Sequence, residues 1–356
     1  MKNKKYFFPK YLVCIILISL LLLFTLTSSA AEKAEYNWKF GTSWSRELQN
    51  QSLQLFCDLV KFYSDGKLEI ELFPNAMLGS HDELFHAVQE GSVDMGIFDP
   101  YVNLVPGGML NYMPWAIENY DQSVVAFDNP DGILFKVMSK AWEEVGFHFL
   151  FVGLEGPYGI GNNVRPIKNP DDLKNLTMRV SSSLGSVRML ENMGKGTGMT
   201  IATIPWADLY NALERGVVDG CWSFWMSMIE ERHYEVLKYY TALDWACGTS
   251  HIVVNKEKWE KLPPELQEAL VKAGEVAEIR EYEIHRRADI DYKKIIADYG
   301  VEIYYPTQEE RELFREKSNT PAIWEELCKP WLEKNYPGQN MTQKVQDELI
   351  KIREAY

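Results

Sequence analysis

One arginine sits in a run of strand-forming residues, Leu176-Thr-Met-Arg-Val180, and it is the side chain best placed for specific chemistry. A guanidinium on a rigid strand offers a planar, two-pronged grip on a carboxylate. The alternative is a surface arginine paired with a neighbouring acid, and the spacing alone does not separate the two. Five tryptophans, Trp44, Trp206, Trp222, Trp225 and Trp245, would form an apolar or cation-attracting cage around a small ligand if they converge, although each taken singly suits a core as well. Signatures of catalysis are missing. The six histidines are scattered without an HExxH pair, and there is no CxxC and no GxSxG elbow. Gly194-Lys-Gly-Thr-Gly198 has the composition of a phosphate loop but follows a helical segment instead of a strand, so it reads as a plain loop. Paired carboxylates are too common in so acidic a chain to nominate a hydrolase. No enzymatic activity, cofactor or metal is therefore expected.

The elements that must position these residues are punctuated twice in the same way. Glu83-Leu-Phe-His-Ala-Val-Gln-Glu-Gly-Ser-Val-Asp94 is echoed about 125 residues later by Asp208-Leu-Tyr-Asn-Ala-Leu-Glu-Arg-Gly-Val-Val-Asp219. Each copy predicts a helix with apolar residues at helical spacing, a glycine stop (Gly91, Gly216) and a short strand ending in aspartate. Two like α/β lobes are implied, and a cleft between lobes is where small ligands usually bind. Around the echo, Tyr36 to Gly41 predicts a strand, Glu47 to Tyr63 a helix, Lys67 to Phe73 a half-buried strand, and Ser80-His-Asp-Glu83 a capping box. The glycine-rich stretch Gly153 to Asn163 suits a linker crossing between lobes, and Thr249 to Asn255 a return strand. Pro264 to Tyr299 runs 36 residues without a breaker, a helix about 54 Å long that would span both lobes. Thr307-Gln-Glu-Glu310 caps a further helix, and Trp324 to Asn335 and Thr342 to Ala355 close the chain as helices.

The N-terminus carries Lys2, Lys4, Lys5 and Lys10, an apolar run from Tyr11 to Leu26, and small residues to Ala31, the pattern of a cleaved secretory signal. Removing those four lysines and no acids takes the net charge from −14 to −18. Such a body disfavours nucleic acid and anionic membrane as partners. Four cysteines follow the signal, Cys57, Cys221, Cys247 and Cys328, and no pair has zinc or redox spacing. In an oxidising compartment Cys221 and Cys247 would be able to pair; the alternative is four buried thiols.

Several segments together resemble a known family. Asp171-Asp-Leu-Lys-Asn-Leu-Thr-Met-Arg-Val180, Ile204-Pro-Trp-Ala-Asp-Leu-Tyr-Asn-Ala-Leu-Glu-Arg-Gly-Val-Val-Asp-Gly220 and Val253-Val-Asn-Lys-Glu-Lys-Trp-Glu-Lys-Leu-Pro263 are similar to the DctP-type solute-binding proteins of TRAP transporters. Phe73-Pro-Asn-Ala-Met-Leu-Gly79 and Gly91-Ser-Val-Asp-Met-Gly96 resemble the first lobe of the same family, so the likeness covers essentially the whole mature chain in order. It implies a two-lobed α/β periplasmic binding protein, type II-like and closing as a Venus flytrap, with the long helix bridging both lobes. Lobe I would comprise 32–156 and 251–295, lobe II 157–250 and 296–356, after a signal over 1–31. The ligand would pass to a small DctQ-type and a large DctM-type membrane subunit driven by a sodium gradient.

The resemblance also implies site residues. Arg179 would grip the ligand carboxylate, Trp206 matches an aromatic pocket position, Ser223 falls where many members place an asparagine, and Asp99 where some carry an acid. Trp222 and Trp245 of lobe II, with Trp44, Asp82 and Tyr101 of lobe I, complete the expected set. A second arginine that many members carry about twenty residues before Arg179 is absent, its place falling near Gly159. That departure argues against dicarboxylates and sialic acid and for a monocarboxylate with an apolar, aromatic or zwitterionic body. Two rival readings are a membrane-tethered receptor serving a sensor and a secreted enzyme acting on a small acid.

Overall fold

The computed structural model describes residues 34–181 and 183–356. The segment read as a signal, 1–31, lies outside the described residues. Among the described residues ten strands appear in chain order: β1 (Tyr36–Gly41), β2 (Leu68–Phe73), β3 (Met95–Phe98), β4 (Phe147–Asn162), β5 (Thr177–Val180), β6 (Thr200–Thr203), β7 (Gly220–Phe224), β8 (Tyr239–Thr241), β9 (Cys247–Asn255) and β10 (Glu302–Tyr304). They pair in the order β2-β1-β3-β9-β4-β7-β5-β6, with β8 joining β4 to β10. The outer strands are parallel, β1 with β2 and β3, β5 with β6 and β7, whereas β4 runs antiparallel to β9 and β7. Two parallel α/β halves therefore share a central antiparallel pair.

The sequence echo is a structural one. Helices His81–Gln89 and Leu209–Glu214 both end at a glycine with positive φ, Gly91 at 80° and Gly216 at 66°, a conformation that costs glycine least. The aspartate that follows precedes its strand instead of ending it, which corrects the expectation, and its role explains why it recurs. Asp94 Oδ2 accepts the N–H of Lys39 at 2.6 Å and its carbonyl accepts that of Asn255; Asp219 Oδ2 accepts the N–H of Thr177 at 2.7 Å and its carbonyl that of Asn163. Each carboxylate pins the neighbouring strand to its half of the sheet.

The predicted linker is not a loop. Gly153 to Asn162 lies inside the sixteen-residue β4, which pairs with β9 from Phe147 to Pro157 and with β7 from Tyr158 onward. The glycines that suggested a linker permit an irregularity between Leu154 and Gly156, where Gly156 has φ 107°. The long helix forms as expected over Pro264–Tyr299 and stops at Gly300, φ 113°. Leu266, Leu270, Ala273 and Ala277 pack with Phe56 and Phe151 in the core of the first half; Ile296 packs with Leu213 and Trp225 in the second. One helix thus staples both halves. The capping boxes at Ser80 and Thr307 form, and Asn169 caps a short 3-10 turn over Pro170–Leu173. A π-helical turn at Trp324–Cys328 interrupts the expected penultimate helix before Lys329–Asn335. The four cysteines among the described residues, Cys57, Cys221, Cys247 and Cys328, are buried free thiols, so the Cys221–Cys247 pairing does not form.

Candidate functional site

In parallel α/β sheets the strand carboxyl ends leave exposed loops where ligands bind. Here that end of the two halves faces a common cleft: Arg46 follows β1, Asp99 and Tyr101 follow β3, Ser181 and Ser183 follow β5, and Trp206 follows β6. With Tyr112, Glu155, Tyr158, Ser186, Trp222 and Trp245 they enclose a cavity with room of about 30 Å³ for the centres of water molecules. That is space for about two waters, so a solute requires the walls to part.

Arg179 is 3% exposed. Its Nε donates to the carbonyl of Ile204 at 2.8 Å, and its guanidinium lies 5.0 Å from the centre of the Trp206 ring. Among the described residues no carboxylate lies within ion-pair reach of it. Burial lowers its pKa, partly opposed by Tyr101 and Cys221. The surface-arginine alternative therefore fails. The N-terminal turn of helix Leu184–Met193 brings Ser183 and Ser186 to the same wall, and a helix N-terminus favours a nearby anion.

Arg46 is used differently. It is 2% exposed, with Nη1 2.8 Å from Glu155 and Nε 3.2 Å from Glu231, and it lies over the rings of Trp44 and Phe224 at 4.5 and 5.2 Å. Burial opposes its charge, but Glu155, Glu231 and Asp99 outweigh burial and raise its pKa. Glu155 shows the cost of crowding acids: burial first, then Asp99, push its carboxyl up to about 7 against the opposing pull of Arg46. Its Oε2 accepts the Tyr158 hydroxyl at 2.8 Å and that of Tyr112 at 3.5 Å. Asp99 is 7% exposed and takes the Tyr101 hydroxyl on Oδ2 at 2.7 Å, while Oδ1 has no partner. Burial raises the pKa of Tyr101, Tyr112 and Tyr158, so these hydroxyls stay protonated.

Of the residues expected from sequence, the cavity wall unites Arg179, Trp206, Trp222, Trp245, Asp99 and Tyr101. Trp222 and Trp245 pack with ring centres 4.9 Å apart, and both indole N–H groups are buried without an acceptor. Three are placed elsewhere. Ser223 follows Trp222 on β7, and strand alternation turns it to the other face, where its hydroxyl meets Ser227 at 3.0 Å and His233 at 3.5 Å. Trp44 stands behind the wall, supporting Arg46 and His81. Asp82 is two-thirds exposed in the first turn of its helix, bonded to His81 at 3.1 Å. Trp225, the fifth tryptophan, is core, packed on Tyr240 at 4.5 Å. Sequence reading missed Arg46, Tyr112, Glu155 and Tyr158. Arg46 left a signal: it occupies the N-cap of helix Glu47–Tyr63, where a cation opposes the helix dipole and an acid or hydroxyl is the ordinary choice. At Gly159, near which the resemblance puts the missing second arginine, a Cβ would lie 2.5 Å from the carbonyl of Thr241 and the ring of Tyr240, leaving no room for a side chain.

Fold and cleft together define a two-lobed solute receptor. The family model for bacterial extracellular solute-binding proteins, family 7 (DctP), matches residues 40–328, and the chain belongs to that family, which serves TRAP transporters. It is 26% identical over 284 residues to the C4-dicarboxylate-binding periplasmic protein DctP of Rhodobacter capsulatus, covering 77% of this chain and 78% of that protein. It is 25% identical over 252 residues to the 2,3-diketo-L-gulonate-binding periplasmic protein YiaO of Escherichia coli, covering 70% and 75%. Its fold matches the sugar acid binding protein DctPAm of Advenella mimigardefordensis, solved with galactonate, at TM-score 0.77 and 21% identity over 90% of this chain and 100% of that one. A TRAP solute-binding protein of Sulfitobacter with bound galacturonate aligns at TM-score 0.74 and 23% identity, covering 88% and 99%.

Proposed function

We propose that this protein is an exported receptor that captures a small organic monocarboxylate between its halves and delivers it to TRAP membrane subunits, a small DctQ-type and a large DctM-type. The observation that carries this reading is Arg179: a buried guanidinium without an acid, fixed by the Ile204 carbonyl and the Trp206 ring, and facing a cavity. A ligand carboxylate supplies the missing anion, and its second oxygen offers lone pairs to the unpartnered indole N–H groups of Trp222 and Trp245. Arg46 is held by Glu155 and Glu231, so only one arginine is available, which favours one carboxylate over two. The relatives' ligands, galactonate, galacturonate, 2,3-diketo-L-gulonate and the C4-dicarboxylates of the Rhodobacter protein, are organic acids as well.

Lobe I comprises 32–156 with 251–295 and lobe II 157–250 with 296–356 in this reading; the exchange of β4 from β9 to β7 at Pro157–Tyr158 supports the break after 156, although the C-terminal helix Met341–Ala355 reaches back to pack on helices Tyr120–Phe127 and Ile133–Glu144 of lobe I. Closure over the solute excludes water and strengthens the ion pair at Arg179. The protein works in the periplasm after loss of residues 1–31, and among the described residues no helix is long and apolar enough to cross a membrane. The test is to purify the mature protein natively, denature it, and analyse the released solute by mass spectrometry. A monocarboxylate in near one-to-one amount is expected; a released dicarboxylate, or a solute with no acid group, overturns the assignment.

A further inference from the structure

We propose, building on the carboxylate reading of Arg179, that the solute is a zwitterion whose protonated amine or amidine nitrogen donates to Asp99. Asp99 lines the cavity, is 7% exposed, and has one oxygen satisfied by Tyr101 while Oδ1 is buried with no donor. A buried carboxylate oxygen without a donor is destabilising, and it is tolerable at a binding wall because the ligand supplies the donor. Among the described residues no lysine, arginine or histidine forms an ion pair with Asp99, and Arg46, the cation that feels its charge, is already bonded to Glu155 and Glu231.

The charges around the cleft narrow the choice of donor. Arg46 stands between two acids, Glu155 and Glu231, at 2.8 and 3.2 Å. What remains is one arginine without an acid, and three acids, Asp99 among them, that share the single cation of Arg46. A plain monocarboxylate satisfies Arg179 but leaves Asp99 Oδ1 without a donor. A hydroxyl on the ligand would give Asp99 a hydrogen bond but no charge. A cationic N–H gives both, and hydrogen bonds to ionised groups are roughly twice as strong as neutral ones. The wall between the two charges is aromatic, formed by Tyr112, Tyr158, Trp222 and Trp245, whose ring faces attract a cation and bury an apolar skeleton.

The experiment uses triplets of small acids with one skeleton and a single changed substituent: alanine, lactate and propanoate, then phenylalanine, 3-phenyllactate and 3-phenylpropanoate. Each is titrated calorimetrically into the mature protein, Asp99→Asn and Arg179→Met. The ammonium member is expected to bind at least about tenfold tighter than both siblings, a preference that collapses in Asp99→Asn, while Arg179→Met loses all three members. Siblings binding the wild type as tightly as the amine, a preference surviving in Asp99→Asn, or no ammonium member binding at all would each overturn the proposal. If plain acids bind as tightly as the ammonium member and Arg179→Met abolishes that binding, the zwitterion fails and the carboxylate reading stands. If the ammonium preference persists undiminished in Arg179→Met, the carboxylate reading is what fails.

Discussion

Replacing Arg179 with methionine separates a ligand-gripping arginine from a structural one, because the two roles predict opposite effects on the empty protein. In the folded chain this guanidinium is charged, 3% exposed and without an acid, so the structure carries the desolvation of an unpaired charge. Methionine retains the apolar length, loses the bond to the Ile204 carbonyl, worth roughly 0.5–1.5 kcal/mol, and the contact with Trp206, worth roughly 0.5–2 kcal/mol. Relief of the buried charge, of order several kcal/mol, offsets both. The empty variant should therefore melt at or above the wild-type temperature. Binding should behave in the opposite way. A buried carboxylate that loses its charged partner costs about 2–5 kcal/mol, a loss of roughly 30- to 5,000-fold in affinity. At a ligand concentration of about 100 wild-type Kd the wild type gains about 2.7 kcal/mol and the variant at most about 0.9 kcal/mol. Differential scanning calorimetry with and without the natively released acid measures both quantities. A variant that melts much lower when empty but retains its ligand shift would show that Arg179 is structural and refute the reasoning.

Three further outcomes are expected. Arg46→Ala strips the cation from two buried acids and should destabilise the protein by about 3–5 kcal/mol in urea unfolding, a loss that Glu155→Gln should partly restore. Glu281, on the long helix and accepting the Leu154 N–H at 2.9 Å, has its carboxyl raised by burial from 4.5 to about 8. The folded chain then holds a proton that the unfolded chain releases between those values, so stability should fall as pH rises across that window, by up to about 1.4 kcal/mol per pH unit for this group. Glu281→Gln should reduce that slope in melts taken across the window, leaving the share of Glu278, Glu155 and Asp289, whose carboxyls burial raises as well; an unchanged slope would contradict the assignment. Burial pushes the thiols of Cys57 and Cys221 up to about 12, and no pair is bonded, so thiol titration should count four groups that react only after unfolding, and reductant should leave the melting temperature unchanged.

Local features were legible along the chain. The stops at Gly91 and Gly216, the capping boxes at Ser80 and Thr307 and the 36-residue helix ending at Gly300 depend on contacts within a few residues, and those contacts are present in the sequence itself. Arg179 was legible for the same reason, as a cation set among apolar strand residues. The tertiary structure decided which side chains meet. Glu155 lay in a stretch whose glycines suggest a linker, and only the pairing of β4 with β9 and then β7 makes it the centre of the cleft. Ser223 and Trp222 are adjacent in sequence, yet strand alternation sends one into the cavity wall and the other against Ser227. Arg46 and Glu231 are 185 residues apart, and the orphaned oxygen of Asp99 exists because, among the described residues, no donor from another segment reaches it. Local punctuation follows from short-range sterics and hydrogen bonding, whereas the charge balance of a cleft follows from how distant elements are packed, which no single segment encodes.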